Sequence, residues 1–169
     1  GGGIFYFLSK KPRQSISLDY KFDVEQLGQS FNAFREDDIF TSFFRRSHLS
    51  KLTSVEQYKA AFELEWLPGV STRLSFIHRT MYPIGEIQYN YYQPDGIISS
   101  LNDITTTEFN IYSRIAYGER FIDGEFERTS LGTKNPIFQL SYSFGIKNFW
   151  KSDYQFHKLS MDVEQWLNV

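Results

Sequence analysis

The chain has 169 residues and no cysteine. Without cysteine it has no disulfide framework, no thiol nucleophile and no thiolate metal ligand. A cysteine-free chain of this length fits a cytosolic protein and also an envelope protein that is stable without covalent cross-links. The absence therefore excludes three kinds of chemistry and leaves the compartment open.

Long apolar runs and an excess of basic charge are also missing. The longest apolar run, Ile4–Leu8, is far shorter than the roughly 20 residues that a transmembrane helix needs. This excludes a membrane-spanning helix but not a membrane-spanning strand. The net charge of −2 and the isoelectric point near 5.9 lack the basic excess typical of nucleic-acid binding. We therefore expect no nucleic-acid partner.

Aromatic residues are abundant, at 18% of the chain, although the mean hydropathy is −0.41. A sequence that is aromatic yet polar on average is typical of amphipathic strands. The segment Ser15–Val24 reads SISLDYKFDV, in which every second residue is apolar and the residues between them are polar. This period of two predicts a β-strand with one apolar face and one wet face.

The same alternation recurs along the chain. Residues 56–66 and 70–78 alternate on both sides of Leu67-Pro68-Gly69, which predicts a hairpin with a tight turn. Further alternating segments begin at Phe109, Phe138 and Leu159. The pattern predicts an all-β, antiparallel up-and-down meander of about seven or eight strands of roughly ten residues. Two segments stay open: 31–52 is a bulged strand or a helical turn, and 82–102 is a Tyr-rich loop or a hairpin tip.

Strand length and the position of aromatic residues favour a membrane barrel over a soluble one. Soluble strands average about five or six residues, whereas tilted membrane-spanning strands need about 9 to 11. The apolar rows contain no ionised side chain, as a lipid-facing row requires, although a soluble barrel meets that condition too. Aromatic residues near strand ends or turns match the girdles of membrane barrels; they are Tyr58, Trp66, Tyr117, Phe149, Trp150 and Trp166.

These patterns divide the strand residues into two predicted sets. The predicted lipid-facing set is Ile16, Leu18, Tyr20, Phe22, Val24, Tyr58, Phe62, Leu64, Trp66, Leu74, Phe76, Phe109, Ile111, Ile115, Phe138, Leu140, Tyr142, Phe144, Leu159, Met161 and Val163. The predicted lumen-facing set is Lys59, Glu63, Glu65, Arg73, Glu108, Arg114, Lys158, Asp162 and Glu164. The second set would hydrate the lumen or hold a plug, and a merely wet interior is the simpler interpretation.

The segment 105–169 resembles the large outer-membrane proteins of Bacteroidota in which a carboxypeptidase-regulatory-like domain precedes a barrel of unknown function. The resemblance rests on Ser130–Lys134, Pro136, Gly145–Lys147, Asp153-Tyr154 and His157–Leu159. It implies an outer-membrane barrel in the style of the bacterial surface-antigen and assembly barrels, with no known reaction. Residues 1–169 show neither the regulatory-like domain nor the Val-Arg-Gly-Phe lid motif, so assembly or secretion activity is not expected.

The ends of the chain bear on its extent. Gly1–Leu8 lacks the basic start and the small-residue cleavage site of a secretory signal. The sequence Trp166–Val169 lacks the final aromatic residue with which the closing strand of bacterial barrels commonly ends. Nothing in the composition marks an internal boundary. We therefore expect 1–169 to be a single segment of a larger barrel, paired with further strands of the same full-length chain.

No pattern of residues predicts catalysis or a cofactor. His48, His78 and His157 lack the spacing of paired metal ligands. Glu63 and Glu65 would lie about 6 to 7 Å apart on one strand face, as in some hydrolases, but Lys59 on that face favours a simple charged row. Ser130 lacks a nucleophile elbow, and Gly132–Lys134 lacks the upstream glycine of a phosphate loop.

The sequence therefore predicts a non-enzymatic segment of an outer-membrane barrel, acting as a membrane-spanning scaffold or passage with outer-membrane lipid as its partner. A first alternative is a soluble β-barrel or sandwich whose apolar rows enclose a small hydrophobic ligand. A second is an enzyme with its catalytic residues on loops such as 82–102.

Overall fold

A computed structural model describes residues 1–26, 52–85, 88–92, 98–124 and 128–165. The open segment 31–52 lies outside these ranges except for Leu52. His48 and Trp166–Val169 also lie outside them. The fold below refers to the described ranges.

One antiparallel sheet of seven strands, in the order β1-β2-β3-β4-β7-β10-β11, forms the body of the fold. Its strands are β1 (Gly2–Lys10), β2 (Arg13–Gln26), β3 (Leu52–Leu67), β4 (Val70–Pro83), β7 (Ile104–Ala116), β10 (Ile137–Gly145) and β11 (Phe156–Glu164). Each strand pairs with the next long strand along the chain. The predicted all-β, antiparallel up-and-down architecture is confirmed, and the number of long strands agrees with the prediction.

Two short hairpins and one helical turn interrupt this meander. The strands β5 (Tyr89–Tyr92) and β6 (Ile98–Leu101) pair in the connection from β4 to β7, and β8 (Arg120–Asp123) and β9 (Arg128–Gly132) pair in the connection from β7 to β10. A single 3₁₀ turn, η1 (Phe149–Lys151), precedes β11. The first hairpin is one of the two structures that the sequence left open for 82–102; the second was not predicted.

No helix within the described ranges is long and apolar enough to cross a membrane.

The turn between β3 and β4 lies where the sequence predicts it. Gly69 has φ +83°, and its carbonyl oxygen accepts a hydrogen bond of 2.7 Å from the amide of Ala116. A Cβ atom on Gly69 would overlap the carbonyl oxygen of Ala116. The turn therefore needs glycine both for its backbone conformation and for its contact with the end of β7.

The strands β3 and β4 are longer than the alternation alone indicates. β3 begins at Leu52 and β4 continues to Pro83, because Thr53, Val55 and Met81 extend the ladder beyond the amphipathic core of the hairpin. Tyr117 lies near a strand end, as the sequence predicts. It follows the end of β7 and lies in a turn, where it is exposed.

We predict that Gly69→Ala destabilises the fold by about 1 to 3 kcal/mol, because alanine is strained at this φ and crowds Ala116. The urea midpoint of the protein folded in detergent micelles measures the change. Gly2→Ala is the matched control, since a Cβ there meets nothing within 4 Å. Equal midpoints for the two variants would contradict the proposed role of the turn.

Candidate functional site

The seven-stranded register sorts the side chains onto two faces. Leu18, Ala60, Phe76, Phe109 and Phe144 are paired neighbours in consecutive strands, and they form one row across the sheet. Side chains of alternate residues share a face, so the register places the predicted lipid-facing set on this apolar face. Trp66 lies at the bulge between Glu65 and Leu67, and its contact with Thr72 places it on the same face. Its assignment to lipid stays a prediction.

Most large side chains on the apolar face are exposed. Leu18 is 54% exposed, Phe22 58% and Met161 72%. The buried apolar residues among those described are few and lie elsewhere, and they are Val55, Tyr89, Ala116 and Ile137. The apolar face is therefore not the inside of a conventional hydrophobic core within the described ranges.

Aromatic residues border the apolar face at both ends. Near one end, the rings of Tyr20 and Tyr58 are 5.0 Å apart, and both hydroxyls donate hydrogen bonds to Glu56. Near the other end, Trp66 donates from Nε1 to Thr72. Trp66 lies eight positions after Tyr58, which at about 3.3 Å per position is about 26 Å along β3. Between the end marked by Tyr58 and the end marked by Trp66, the described part of this face contains no Lys, Arg, Asp or Glu.

The turn η1 adds two more rings to the same end as Tyr58. The Trp150 ring meets Phe76 edge-on with centroids 5.2 Å apart, and it lies 5.8 Å from the ring of His78. The loop is held by Ser152, whose hydroxyl accepts from the amide of Thr107, and by a backbone bond to β7. The aromatic pair Phe149-Trp150, expected at a turn, therefore packs against the apolar face.

The opposite face is polar and more sheltered. The register places the entire predicted lumen-facing set on it, with Ser17, Ala61, Ser75, Asn110 and Ser143 forming one row across five strands. Ser75 and Ser143 are buried, and Asn110 donates 2.8 Å hydrogen bonds to the hydroxyls of Ser141 and Ser143. We call this surface the polar face. Its assignment to a lumen stays a prediction.

Ion pairs occupy much of the polar face. Arg73 contacts Glu63 at 2.6 Å, and its guanidinium lies 5.8 Å from the centroid of the Tyr112 ring. Arg79 donates two hydrogen bonds to Gln57 and lies 3.8 Å from Glu25. Opposite charges thus neighbour each other across the strands, which limits the net field on this face.

The β8–β9 hairpin folds against one end of the polar face. Arg128 of β9 donates to both carboxylate oxygens of Glu65 at 2.5 and 2.6 Å, and its guanidinium lies 3.7 Å from the Phe121 ring centroid. The side chains of Arg128 and Glu65 are only 15% and 16% exposed. Charge-assisted hydrogen bonds of this kind are stronger when water is excluded. We call these contacts the hairpin lock.

A second part of the hairpin lock is centred on Glu119. Arg114 donates to its two oxygens at 2.5 and 2.9 Å, and Ser130 donates at 2.5 Å. Burial by itself raises the pKa of this carboxyl, but the hydrogen bonds and the charges of Arg114 and Arg128 outweigh it and lower the pKa. Glu119 is therefore held ionised, and it ties the hairpin to the end of β7.

The hairpin lock borders a polar cavity of about 220 Å³. Its lining includes Arg13, Glu65, Arg114, Phe121 and Arg128. At this end of the polar face, Glu65 pairs with Arg128, and Glu119 pairs with Arg114. This arrangement suits the anchoring of a hairpin and the hydration of a surface, because it leaves no unpaired acid and base directed at a common point.

The comparison with known families identifies the chain at the level of a domain. The model of one family, described as "Family of unknown function (DUF5686) C-terminal domain", matches residues 4–169. The chain belongs to this family. No curated protein and no solved structure matches it.

Membership in the DUF5686 family agrees with the coarser part of the resemblance seen in the sequence. Both point to a domain of unknown function, and the structure of this member is rich in β-strands. The family description says nothing of the Bacteroidota or of a regulatory-like domain. Those finer features stay predictions.

The candidate catalytic residues of the sequence are separated or paired in the DUF5686 domain. Glu63 binds Arg73 whereas Glu65 binds Arg128, so the two carboxylates have different partners. His78 bonds to Thr107. His157 bonds instead to Tyr142. The described residues contain no group of three or more potential metal ligands.

Sequence reasoning missed the hairpin lock. It assigned Glu65 and Arg114 to the wet face but gave no role to Glu119 or Arg128. Neither residue lies in a long alternating segment, and their partners are distant or across a turn. The one available signal was the density of charged residues between β7 and β10, in a connection too long for a simple turn.

We predict that Arg128→Gln loosens the β8–β9 hairpin, because it leaves Glu65 without its shielded partner. Hydrogen exchange of the hairpin amides should become at least about tenfold faster, which corresponds to about 1.4 kcal/mol. Arg73→Gln is the control, since its pair with Glu63 is 45% and 36% exposed and such pairs contribute about 0 to 1 kcal/mol. Unchanged exchange in Arg128→Gln would refute the lock.

The hairpin lock should also weaken in acid. The folded-state pKa of Glu119 lies below its unfolded value, so its contribution is complete above the unfolded pKa and is lost as pH falls through the folded pKa. Proteolytic cleavage of the hairpin should therefore accelerate on acidification in the unmodified protein. Glu119→Gln should cleave faster at neutral pH and respond less to acid. The same acid response in both proteins would contradict this assignment.

Proposed function

We propose that this DUF5686 domain is part of the wall of an outer-membrane β-barrel, where it acts as a membrane-spanning scaffold or passage. The observation that carries the proposal is the apolar face, which runs across seven strands and is bordered by aromatic residues about 26 Å apart. Transmembrane barrels have an outward apolar band about 25 Å tall between two aromatic girdles. Strands of such barrels tilt by about 35 to 45°, so 26 Å along β3 corresponds to a height of roughly 18 to 21 Å, which is of the same order as that band.

Exposure of the apolar face gives an energetic reason for lipid. Apolar surface left in water costs roughly 25 cal/mol per Å², and monomeric soluble proteins rarely expose patches beyond a few hundred Å². Leu18, Phe22 and Met161 are each more than half exposed, and their neighbours continue the same surface. Hydrocarbon would cover this area without a protein partner. Lipid is therefore the partner that we propose for this face.

The polar face supports the proposal from the other side of the sheet. Barrel interiors are polar, and lumen positions tolerate charge. A cavity of about 490 Å³ on this face is lined by the charged residues Asp19, Lys59, Glu63 and Arg73, by small residues, and by Ile4 and Phe5 of β1. Paired charges and buried serines suit a hydrated interior. We assign this face to the lumen, with the β8–β9 hairpin anchored at one end of it.

The soluble alternative requires the reverse arrangement. A barrel or sandwich that encloses a hydrophobic ligand needs its apolar rows on the sheltered side. In the described ranges the sheltered side carries Ser15, Ser75 and Ser143, while Leu18 and Leu74 face outward. This favours lipid over an enclosed ligand.

The enzyme alternative has little support in the described part of 82–102. There Tyr89 is buried with its hydroxyl 2.6 Å from that of Thr53, so the contact anchors the hairpin. No nucleophile or acid–base pair converges on it among the described residues. We propose no enzymatic activity and no cofactor for this domain.

The finer identity is also a proposal. The residues that resemble the surface-antigen-like barrels of Bacteroidota include Ser130, whose hydroxyl belongs to the hairpin lock, and Thr133, which donates to the carbonyl of Tyr117. Motif residues thus have structural roles at one end of the sheet. We propose that the protein is a bacterial outer-membrane protein of the type in which a carboxypeptidase-regulatory-like domain precedes the barrel.

Single cysteines test the orientation of the faces, because residues 1–169 contain no natural cysteine. Leu18→Cys and Ser17→Cys are adjacent in β2 but lie on opposite faces. An environment-sensitive fluorophore should be quenched by brominated phospholipid at position 18 and not at position 17, in the protein folded into vesicles. Equal quenching, reversed quenching, or a folded monomer that stays in water without detergent would contradict the proposal.

A further inference from the structure

The two edges of the sheet are the most unusual feature of the described structure for a chain that crosses a bilayer. Among the described residues, β1 and β11 each have a neighbour strand on one side only. Every second residue of an edge strand directs its backbone N–H and C=O away from that neighbour. In hydrocarbon each unsatisfied group costs several kcal/mol, so a membrane-spanning sheet has no free edge. Both edges therefore need strands.

The direction of the strands restricts how the edges can be covered. Each of the seven strands runs antiparallel to its neighbour. An odd number of alternating strands makes the first and the last parallel. Direct closure of β1 onto β11 would thus create a parallel pair, whereas bacterial barrels are antiparallel throughout and have an even number of strands.

A second copy of the chain cannot solve this problem. Two copies related by a two-fold axis along the barrel would place β1 beside the partner's β11, again in parallel. Antiparallel pairing of β1 with a second β1 needs a two-fold axis that lies in the membrane plane. That axis turns one copy upside down, so its β8–β9 hairpin would face the opposite side of the membrane. Copies inserted by one route share one orientation.

We propose that both edges pair with antiparallel strands from elsewhere in the same polypeptide, outside the described ranges, and that the number of these strands is odd. This inference rests on the proposed membrane function. It identifies β1 and β11 as interaction surfaces and strands of the same chain as their partners. The complete barrel then has an even number of strands.

A photo-crosslinking experiment on the full-length protein in its native membrane tests this proposal. One variant carries Phe5→p-benzoylphenylalanine in β1, and a second carries Leu159→p-benzoylphenylalanine in β11. After irradiation, mass spectrometry identifies the peptide joined to each probe. We expect peptides of the same polypeptide from outside the described ranges, in molecules that migrate as monomers.

Leu140→p-benzoylphenylalanine is the positive control, because β10 lies between β7 and β11 and position 140 pairs with Ser113 and Met161. Its probe should capture peptides from those two strands. A crosslink from β1 to β11, to a second copy, or to another protein would overturn the inference, and so would adducts with lipid alone. The quenching pattern at positions 17 and 18 is independent of these outcomes, so failure of this inference is distinguishable from failure of the membrane proposal.

Discussion

The register of the backbone ladder is the constraint on which the rest of the structure depends. Because side chains alternate, a slip of one residue between two strands would move every apolar side chain of one of them to the polar face. In this domain the register holds across seven strands, so Leu18, Phe76 and Phe144 share a face with the rest of their row. The hairpin turns fix it locally, as Gly69 does between β3 and β4. Two continuous surfaces of opposite chemistry result.

The two surfaces are stabilised by different physics. On the polar face, Glu63 with Arg73 and Asn110 with its serine neighbours satisfy each other across strands. On the apolar face, rings pack against each other, as those of Phe109 and Phe144 do at 5.5 Å, but the surface as a whole has no protein cover in the described ranges. The hydrophobic contribution to stability therefore depends on what covers that face. In our proposal, the hydrocarbon of the membrane covers the apolar face.

Most of the principal sheet could be predicted from the sequence, because the patterns that specify its strands and turns are local in the chain. Alternation between Tyr58 and Trp66, and the Pro68-Gly69 turn, depend only on near neighbours in the chain. The hairpin lock could not be predicted, since Arg128 meets Glu65 across 63 positions and β8 and β9 are too short to show a period. Local patterns likewise predicted which residues share a face.

Accessibility along β7 tests the central claim most directly. Single spin labels at successive positions from Glu108 to Ile115 report contact with oxygen, which concentrates in lipid, and with a water-soluble nickel complex. Our account predicts a period of two, with oxygen contact highest at 109, 111, 113 and 115 and nickel contact highest at 108, 110, 112 and 114, in the protein folded into vesicles. The reverse phase, or no alternation, would contradict it.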